Sequence, residues 1–151
     1  MTTSRELAAL DTNVLIYALY ADAEHHRAAR LLVDQARTAN AALCLTPQVL
    51  AELYSVITNP RRVTEAKSPE VVLEVIANFI AMPGLTLLPF PLDLVSRWTA
   101  LLRRHPVSGR KVFDVQLVAS LLANGVTKLY TFNRADFEPF AEMEVLTPVA
   151  S

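Results

Sequence analysis

The sequence is poor in cysteine and glycine and has no long apolar run. Cys44 is the only cysteine, which excludes an internal disulfide framework and a thiolate metal cluster. Three glycines in 151 residues provide no glycine-rich phosphate loop. The apolar run that begins at Val14 ends at Asp22, too early for a membrane span. Only four apolar residues separate Arg5 and Glu6 from the next acid, unlike a signal peptide, so we expect a bacterial-type cytoplasmic protein.

An excess of either charge is also missing. The chain has 14 Lys and Arg against 15 Asp and Glu, so its net charge of −1 gives no general attraction to nucleic acid. Any polyanion would need a local patch or a bound cation. Four cations surround the predicted loop at 105–111, where they would either bind phosphates or offset the end of the preceding helix. They are Arg103, Arg104, Arg110 and Lys111.

What the chain does have is apolar residues in short, regular segments. Hydrophobic residues make up 52% of the sequence, enough for the core of one domain over residues 1–151. Predicted strands cover residues 7–10, 41–45, 85–88, 128–132 and 144–147. Between them, helical periodicity covers residues 14–20, 23–39, 47–58, 69–82, 92–104 and 112–124. This alternation predicts an α/β fold, a three-layer α/β/α sandwich around a mostly parallel sheet of four or five short strands.

Two acidic residues follow predicted strands. Asp11 comes directly after the first strand, and Asp136 follows the fourth. The carboxyl ends of parallel strands form the edge at which open α/β sheets bind ligands. Taken alone, the stretch from Asp11 to Asn13 is better explained as a helix cap, because short polar side chains accept bonds from the free N–H groups of the next helix.

Two further acids lie on the apolar faces of predicted helices. Glu52 comes three residues after Val49 and four before Val56, so it points toward the core, and Asp114 lies at the inward start of its helix. A buried carboxylate costs several kcal/mol unless it is paired or bound to a cation. An ion pair with a buried arginine remains open for Glu52, as does a helix cap for Asp114.

If the four acids converge on one rim of the sheet, they need a counter-charge. Two carboxylates ~4 Å apart repel each other by about 4 kcal/mol at an effective dielectric constant near 20. They must therefore protonate, separate or bind a cation. Oxygen ligands without cysteine or clustered histidine favour Mg²⁺ or Mn²⁺ over Zn²⁺. The adjacent His25 and His26 diverge on their helix and are predicted to be surface residues.

Four motifs, in order and over essentially the whole chain, resemble those of PIN-domain ribonucleases. They are residues 10–16 (Leu-Asp-Thr-Asn-Val-Leu-Ile), 51–53 (Ala-Glu-Leu), 113–114 (Phe-Asp) with 118–119 (Val-Ala), and 131–137 (Thr-Phe-Asn-Arg-Ala-Asp-Phe). The size of the chain and its turn at 59–62 are most similar to the VapC-type toxins of bacterial toxin–antitoxin pairs. Many relatives have an aspartate where this chain has Asn133, so either Asp136 or Asn133 supplies the fourth ligand.

The resemblance implies a PIN-like fold and an endoribonuclease that depends on Mg²⁺ or Mn²⁺. Asp11 and Asp114 would hold the ion, Glu52 would position or deprotonate the attacking water, and Asp136 would complete the cluster or bind a second ion. Polar residues implied to orient these groups are Thr12, Asn13, Thr131 and Asn133. Candidates for binding the RNA backbone are Arg110, Lys111, Arg61 and Arg62. The resemblance also implies RNA, a cognate antitoxin and a second copy of the chain as partners, with no membrane.

Two other functions compete with this one. An aspartyl-phosphate phosphatase also begins with a strand that ends in aspartate, but it needs a second acid two residues later, where this chain has Asn13. A non-catalytic PIN-like module that binds RNA or a protein partner is the alternative from another class. The helix at 70–82 is apolar on more than one face, so we expect a homodimer in which one face packs on the sheet and another on the second copy.

Overall fold

Five short strands form an all-parallel sheet in the computed structural model, which describes residues 6–150. The strands are β1 (Ala8–Leu10), β2 (Leu43–Leu45), β3 (Leu85–Leu87), β4 (Lys128–Tyr130) and β5 (Glu144–Leu146). Their order in the sheet is β3-β2-β1-β4-β5, with Ala8 opposite both Leu43 and Lys128. Arg5, which entered the argument about a signal peptide, lies outside the described residues.

Seven α-helices connect these strands within the described part of the chain. They are α1 (Thr12–Leu19), α2 (His26–Asp34), α3 (Pro47–Ile57), α4 (Pro69–Ala81), α5 (Leu94–Arg104), α6 (Val112–Ala123) and α7 (Arg134–Phe137). Helices α1 to α4 pack against one another, whereas α5 packs against α6. Right-handed crossovers place these two groups on opposite faces, because the direction of strand addition reverses after β3. The predicted α/β/α sandwich is confirmed. None of the helices described is long and apolar enough to cross a membrane.

Local sequence signals fix where α3 and α4 begin. The side chain of Thr46 accepts a hydrogen bond from the Val49 N–H at 3.3 Å, and Pro47 occupies the first helical turn. Ser68 and Pro69 repeat this arrangement at the start of α4. A capping hydroxyl satisfies a free N–H group, and proline has no N–H to leave unsatisfied there. These starts confirm the sequence prediction and set the position of Glu52 on α3.

The connection into β2 is where the sequence prediction was wrong. The helix predicted over 23–39 is shorter, because α2 ends at Asp34 and two 3₁₀ turns follow (Gln35–Arg37 and Ala39–Ala41). Gly84 packs directly on these turns, and its N–H donates to the Ala36 carbonyl at 2.7 Å. A Cβ on Gly84 would lie 2.2 Å from the Thr38 carbonyl oxygen, so no other residue fits there without a shift.

The helical spacing of apolar residues includes Leu31 of α2 and Val95 of α5, but these two side chains are 42% and 68% exposed. His25, which directly precedes α2, and His26, the first residue of α2, are both half-buried. His25 stacks on Phe132 with 4.5 Å between ring centroids, and His26 Nδ1 lies 2.8 Å from the Tyr17 carbonyl oxygen. The prediction of two surface histidines was therefore wrong.

Candidate active site

The candidate site lies at the carboxyl ends of β1 and β4, where the strand order reverses. Asp11 follows β1 and is only 8% exposed. Its Oδ1 accepts a hydrogen bond from the Thr12 N–H at 2.8 Å, and its Oδ2 accepts from Thr131 Oγ1 at 2.9 Å and from Asn13 Nδ2 at 3.2 Å. Asp11 is thus both the N-cap of α1 and part of a polar cluster, so the two interpretations of this residue do not exclude each other.

Asn13 and Thr131 fasten the start of α1 to the end of β4. Asn13 Oδ1 accepts from the Phe132 N–H at 3.1 Å, and its Nδ2 lies 3.2 Å from Thr131 Oγ1. Thr131 is fully buried, and its hydroxyl oxygen also accepts from the Asn133 N–H at 3.0 Å. β4 ends at Tyr130, two residues before the end of the predicted strand at 128–132, although the Thr131 N–H still donates to the Leu146 carbonyl of β5 at 2.9 Å.

Glu52 is held at both carboxylate oxygens. Thr12 Oγ1 donates to Oε2 at 2.9 Å, and Gln48 Nε2 donates to Oε1 at 3.0 Å. Gln48 Nε2 also donates to the Phe113 carbonyl at 2.9 Å, which connects α3 to the first turn of α6. No arginine among the described residues forms an ion pair with Glu52, so that alternative was wrong. The sequence analysis missed Gln48, although it lies one helical turn before Glu52.

The acids influence one another electrostatically. Burial, and then the charges of Asp136, Asp11 and Glu52, raise the pKa of Asp114 from 3.8 to about 6, although Lys111 acts in the opposite direction. Burial is also the largest cause of the raised pKa of Asp11, opposed by its hydrogen bonds and reinforced by Glu52 and Asp136. Asp136 itself is exposed on α7. The site therefore holds more negative charge than its own cations neutralise.

All four acids line one cleft of about 860 Å³. Of the other predicted site residues, the cleft is also lined by Thr12, Asn13, Asn133, Arg62, Arg110 and Lys111. Thr131 lies behind Asp11 and does not line the cleft, and Arg61 is exposed outside it. The remaining lining includes Phe90 and Phe113, which the sequence analysis did not identify as site residues.

The donor set fits a hard divalent cation. The four carboxylates offer oxygen only, and Gln48 Oε1 is a buried acceptor without a partner among the described residues. No three His, Cys, Asp or Glu side chains within residues 6–150 are grouped closely enough to hold an ion by themselves. This arrangement suits Mg²⁺, which keeps several waters and binds proteins through one or two carboxylates.

The family model of the PIN domain matches residues 8–143, a span that includes all four acids. The chain belongs to the PIN-domain family. It is 32% identical over 146 residues to the ribonuclease VapC24 of Mycobacterium tuberculosis, covering 96% of this chain and 99% of that protein. It is also 32% identical to the ribonuclease VapC43 of the same organism, over 80% of this chain and 82% of that one.

Solved structures of PIN-family proteins share the fold. The structure of VapC20 from Mycobacterium tuberculosis, a toxin that cleaves the sarcin–ricin loop, aligns with a TM-score of 0.66 and 16% identity, covering 95% of this chain and 98% of that one. VapBC2 from Rickettsia felis, bound to a DNA fragment from its promoter, also aligns with a TM-score of 0.66, at 17% identity and over 95% and 99% of the two chains. At these identities the likeness establishes the fold alone.

Proposed function

We propose that this protein is a Mg²⁺- or Mn²⁺-dependent endoribonuclease and the toxin of a toxin–antitoxin pair. The observation that supports this most directly is the convergence of four acids on one cleft, where burial and then their mutual repulsion raise the pKa of Asp114 to about 6. The PIN ribonucleases are metal-dependent in general, and the relatives VapC24 and VapC43 are named as ribonucleases. The cluster has the charge that such an ion would neutralise.

Asp11 and Asp114 would hold the ion, and either Asp136 or Asn133 would complete the set or contribute to a second site. When bound, the ion supplies charge neutralisation at the phosphate and lowers the pKa of water. Asn13 and Thr131 keep Asp11 in place, since both donate to its Oδ2. Such outer hydrogen bonds fix the orientation of ligating carboxylates.

Glu52 is proposed to position the attacking water and to accept its proton. Thr12 and Gln48 fix both of its oxygens, and each oxygen keeps a further lone pair for the water. A carboxylate with a fixed orientation is an effective general base because no reorganisation is needed when the proton moves. Arg62, Arg110 and Lys111 line the same cleft and would bind the RNA phosphates. Arg61 lies outside the cleft, so we do not propose that it binds the RNA.

Replacing Glu52 by Gln tests the catalytic proposal against the non-catalytic alternative. The amide keeps an acceptor for Thr12 and nearly the shape of the acid, so the fold should survive. Removal of a general base should lower kcat by roughly 10²- to 10⁴-fold while RNA binding is retained. A non-catalytic module would instead bind RNA in both forms and cleave none with either Mg²⁺ or Mn²⁺.

The partners in this proposal are an antitoxin and a second copy of the chain. An antitoxin Arg or Lys placed among the carboxylates would replace the ion, because charge-assisted hydrogen bonds to carboxylates are strong. Helix α4 buries Val72 and Phe79 but leaves Val71, Leu73 and Ile80 43%, 59% and 48% exposed. This outward apolar surface supports the homodimer. A cytoplasmic location stays a prediction.

A further inference from the structure

Two large aromatic rings are exposed at the cleft that holds the acids. Phe90 is 62% exposed and Phe113 is 49% exposed, and both line the cleft. Phe113 directly precedes Asp114 on α6. Phe90 follows β3, which lies two strands from β1, roughly 10 Å along the sheet edge by the usual strand spacing. The two rings thus lie in one cleft but on different elements, the loop after β3 and the first turn of α6.

The backbone that carries Phe90 is fixed although its ring is free. Pro89 and Pro91 flank it, and each proline locks its own φ. The Pro89 carbonyl accepts from Asn124 Nδ2 at 3.3 Å, which fastens the segment to the end of α6. The Pro91 carbonyl accepts from the Leu94 N–H at 3.3 Å. A ring displayed in this way loses little conformational freedom when it binds a ligand.

The backbone beside Phe113 is also held by side chains from other helices. Gln48 Nε2 of α3 donates to the Phe113 carbonyl at 2.9 Å. Trp98 Nε1 of α5 lies 3.4 Å from the Val112 carbonyl. Both contacts hold the first turn of α6 while leaving the ring in the cleft. Neither phenylalanine contributes to the buried core, so its apolar surface is available to a ligand.

Three cationic side chains lie in the same cleft as the two rings. Arg62, Arg110 and Lys111 line the same cleft, and none of them forms an ion pair with another described residue. Proteins that bind single-stranded nucleic acid combine such cations, which contact the backbone, with aromatic rings on which bases stack. A paired base in an A-form helix already stacks on both faces, so a protein ring can stack only on an unpaired base.

We propose that Phe90 and Phe113 form a base-stacking subsite that holds unpaired bases of the substrate RNA. This inference rests on the proposed ribonuclease function. The two rings stack on bases near the phosphate held at the acids, while the cations neutralise neighbouring phosphates. The subsite is tolerant of sequence, because every base has a π-face. Phe90 and Phe113 are thus positioning residues for the substrate.

Binding of fluorescently labelled, mixed-sequence single-stranded RNA of about 12 nucleotides tests this subsite by anisotropy. The proteins carry Asp11→Asn to block cleavage. Phe90→Ala and Phe113→Ala should each raise Kd by roughly 5- to 150-fold, the range measured for loss of one stacked base. Phe→Trp at either position should restore binding, whereas Phe→Leu should not. Leu92→Ala is the matched control, since Leu92 is fully exposed in the same loop but does not line the cleft.

The salt dependence of RNA binding distinguishes base stacking from the neutralisation of phosphate charge. The slope of log Kd against log salt should not change in the phenylalanine variants, whereas Arg110→Ala should reduce it by about one. Duplex RNA of the same length should bind equally well to the parent and to both alanine variants. Unchanged thermal midpoints are expected, because both rings are largely exposed.

Several results would overturn the subsite. If Leu restores RNA binding as well as Trp, the two side chains act through apolar contact alone and do not form a platform for stacked bases. If wild-type protein cleaves RNA but the alanine variants bind as the parent does, the inference fails and the proposed function stands. If wild-type protein neither binds nor cleaves RNA with Mg²⁺ or Mn²⁺, both fail together.

Discussion

Replacing Asp114 by Asn should stabilise the ion-free protein near neutral pH. The carboxyl group of Asp114 has its pKa raised from 3.8 to about 6, first by burial and then by Asp136 and Asp11. At neutral pH the ionised carboxylate of Asp114 therefore costs more free energy in the folded protein than in the unfolded chain. Asparagine has a similar shape and no charge, so it removes this penalty. The same change removes a proposed metal ligand. If Asp114 had a purely structural role, its replacement would instead lower the stability of the protein.

The sign and size of the effect follow from proton linkage. A carboxyl group with a raised pKa contributes stability that is fully present below pH 3.8 and is lost as the pH rises through about 6. A shift of about two units corresponds to about 3 kcal/mol. Because Asp114 is only half-buried, solvent screening reduces this to about 1–1.5 kcal/mol. Asp114→Asn should therefore match wild type near pH 4 and exceed it by that amount near pH 7.5.

Urea denaturation of both proteins at these two pH values, with a chelator present, measures the difference. Subtracting wild type from variant cancels the titration of groups outside the acidic cluster, including Asp93 and Glu142, whose lowered pKa values act in the opposite direction. Glu24→Gln is a suitable control, since Glu24 is an exposed acid that does not line the cleft and should show no gain. An Asp114→Asn protein that is no more stable than wild type at the higher pH would refute the electrostatic description of the cluster.

Three further predictions concern the ion, assembly and the fold. Mg²⁺ should raise the thermal midpoint of wild type, by the equivalent of about 2.7 kcal/mol at a hundred times Kd, and an equal rise in Asp11→Asn would count against the ion site. Leu73→Glu, on the exposed face of α4, should convert a dimer to a folded monomer in light scattering, whereas Ile76, which packs partly against the core, is the less suitable position for this change. A wild-type monomer at micromolar concentration would exclude the dimer. Gly84→Ala should destabilise the protein by more than about 1 kcal/mol in urea, because its Cβ would lie 2.2 Å from the Thr38 carbonyl oxygen, and an unchanged midpoint would show that the turn relaxes freely.

Local patterns predicted the architecture well. Each strand coincides with a short apolar run, and the caps at Thr46 and Ser68 begin their helices as expected. The strand-end position of Asp11 and the inward position of Glu52 also follow from local spacing. These features depend on neighbours within a few residues, which is the range over which helical and strand periodicity carry information.

What the sequence could not predict depends on distant contacts. Gln48 connects to the Phe113 carbonyl 65 positions away. Phenylalanine is usually a core residue, and only the packed structure shows that the rings of Phe90 and Phe113 line a cleft. The periodicity of α2 continues past Asp34, but the approach of Gly84 ends the helix there. In each case tertiary packing overrides the local pattern.

Cleavage of RNA by wild type and by Asp11→Asn, each with Mg²⁺ and with a chelator, tests the central claim most directly. The cleft at the ends of β1 and β4 is proposed to act through its carboxylates and a divalent ion. Wild-type protein should therefore cleave only when the ion is present, and the variant should not cleave although its thermal midpoint is unchanged or raised. Full cleavage by Asp11→Asn, or by wild type in the chelator, would contradict the account.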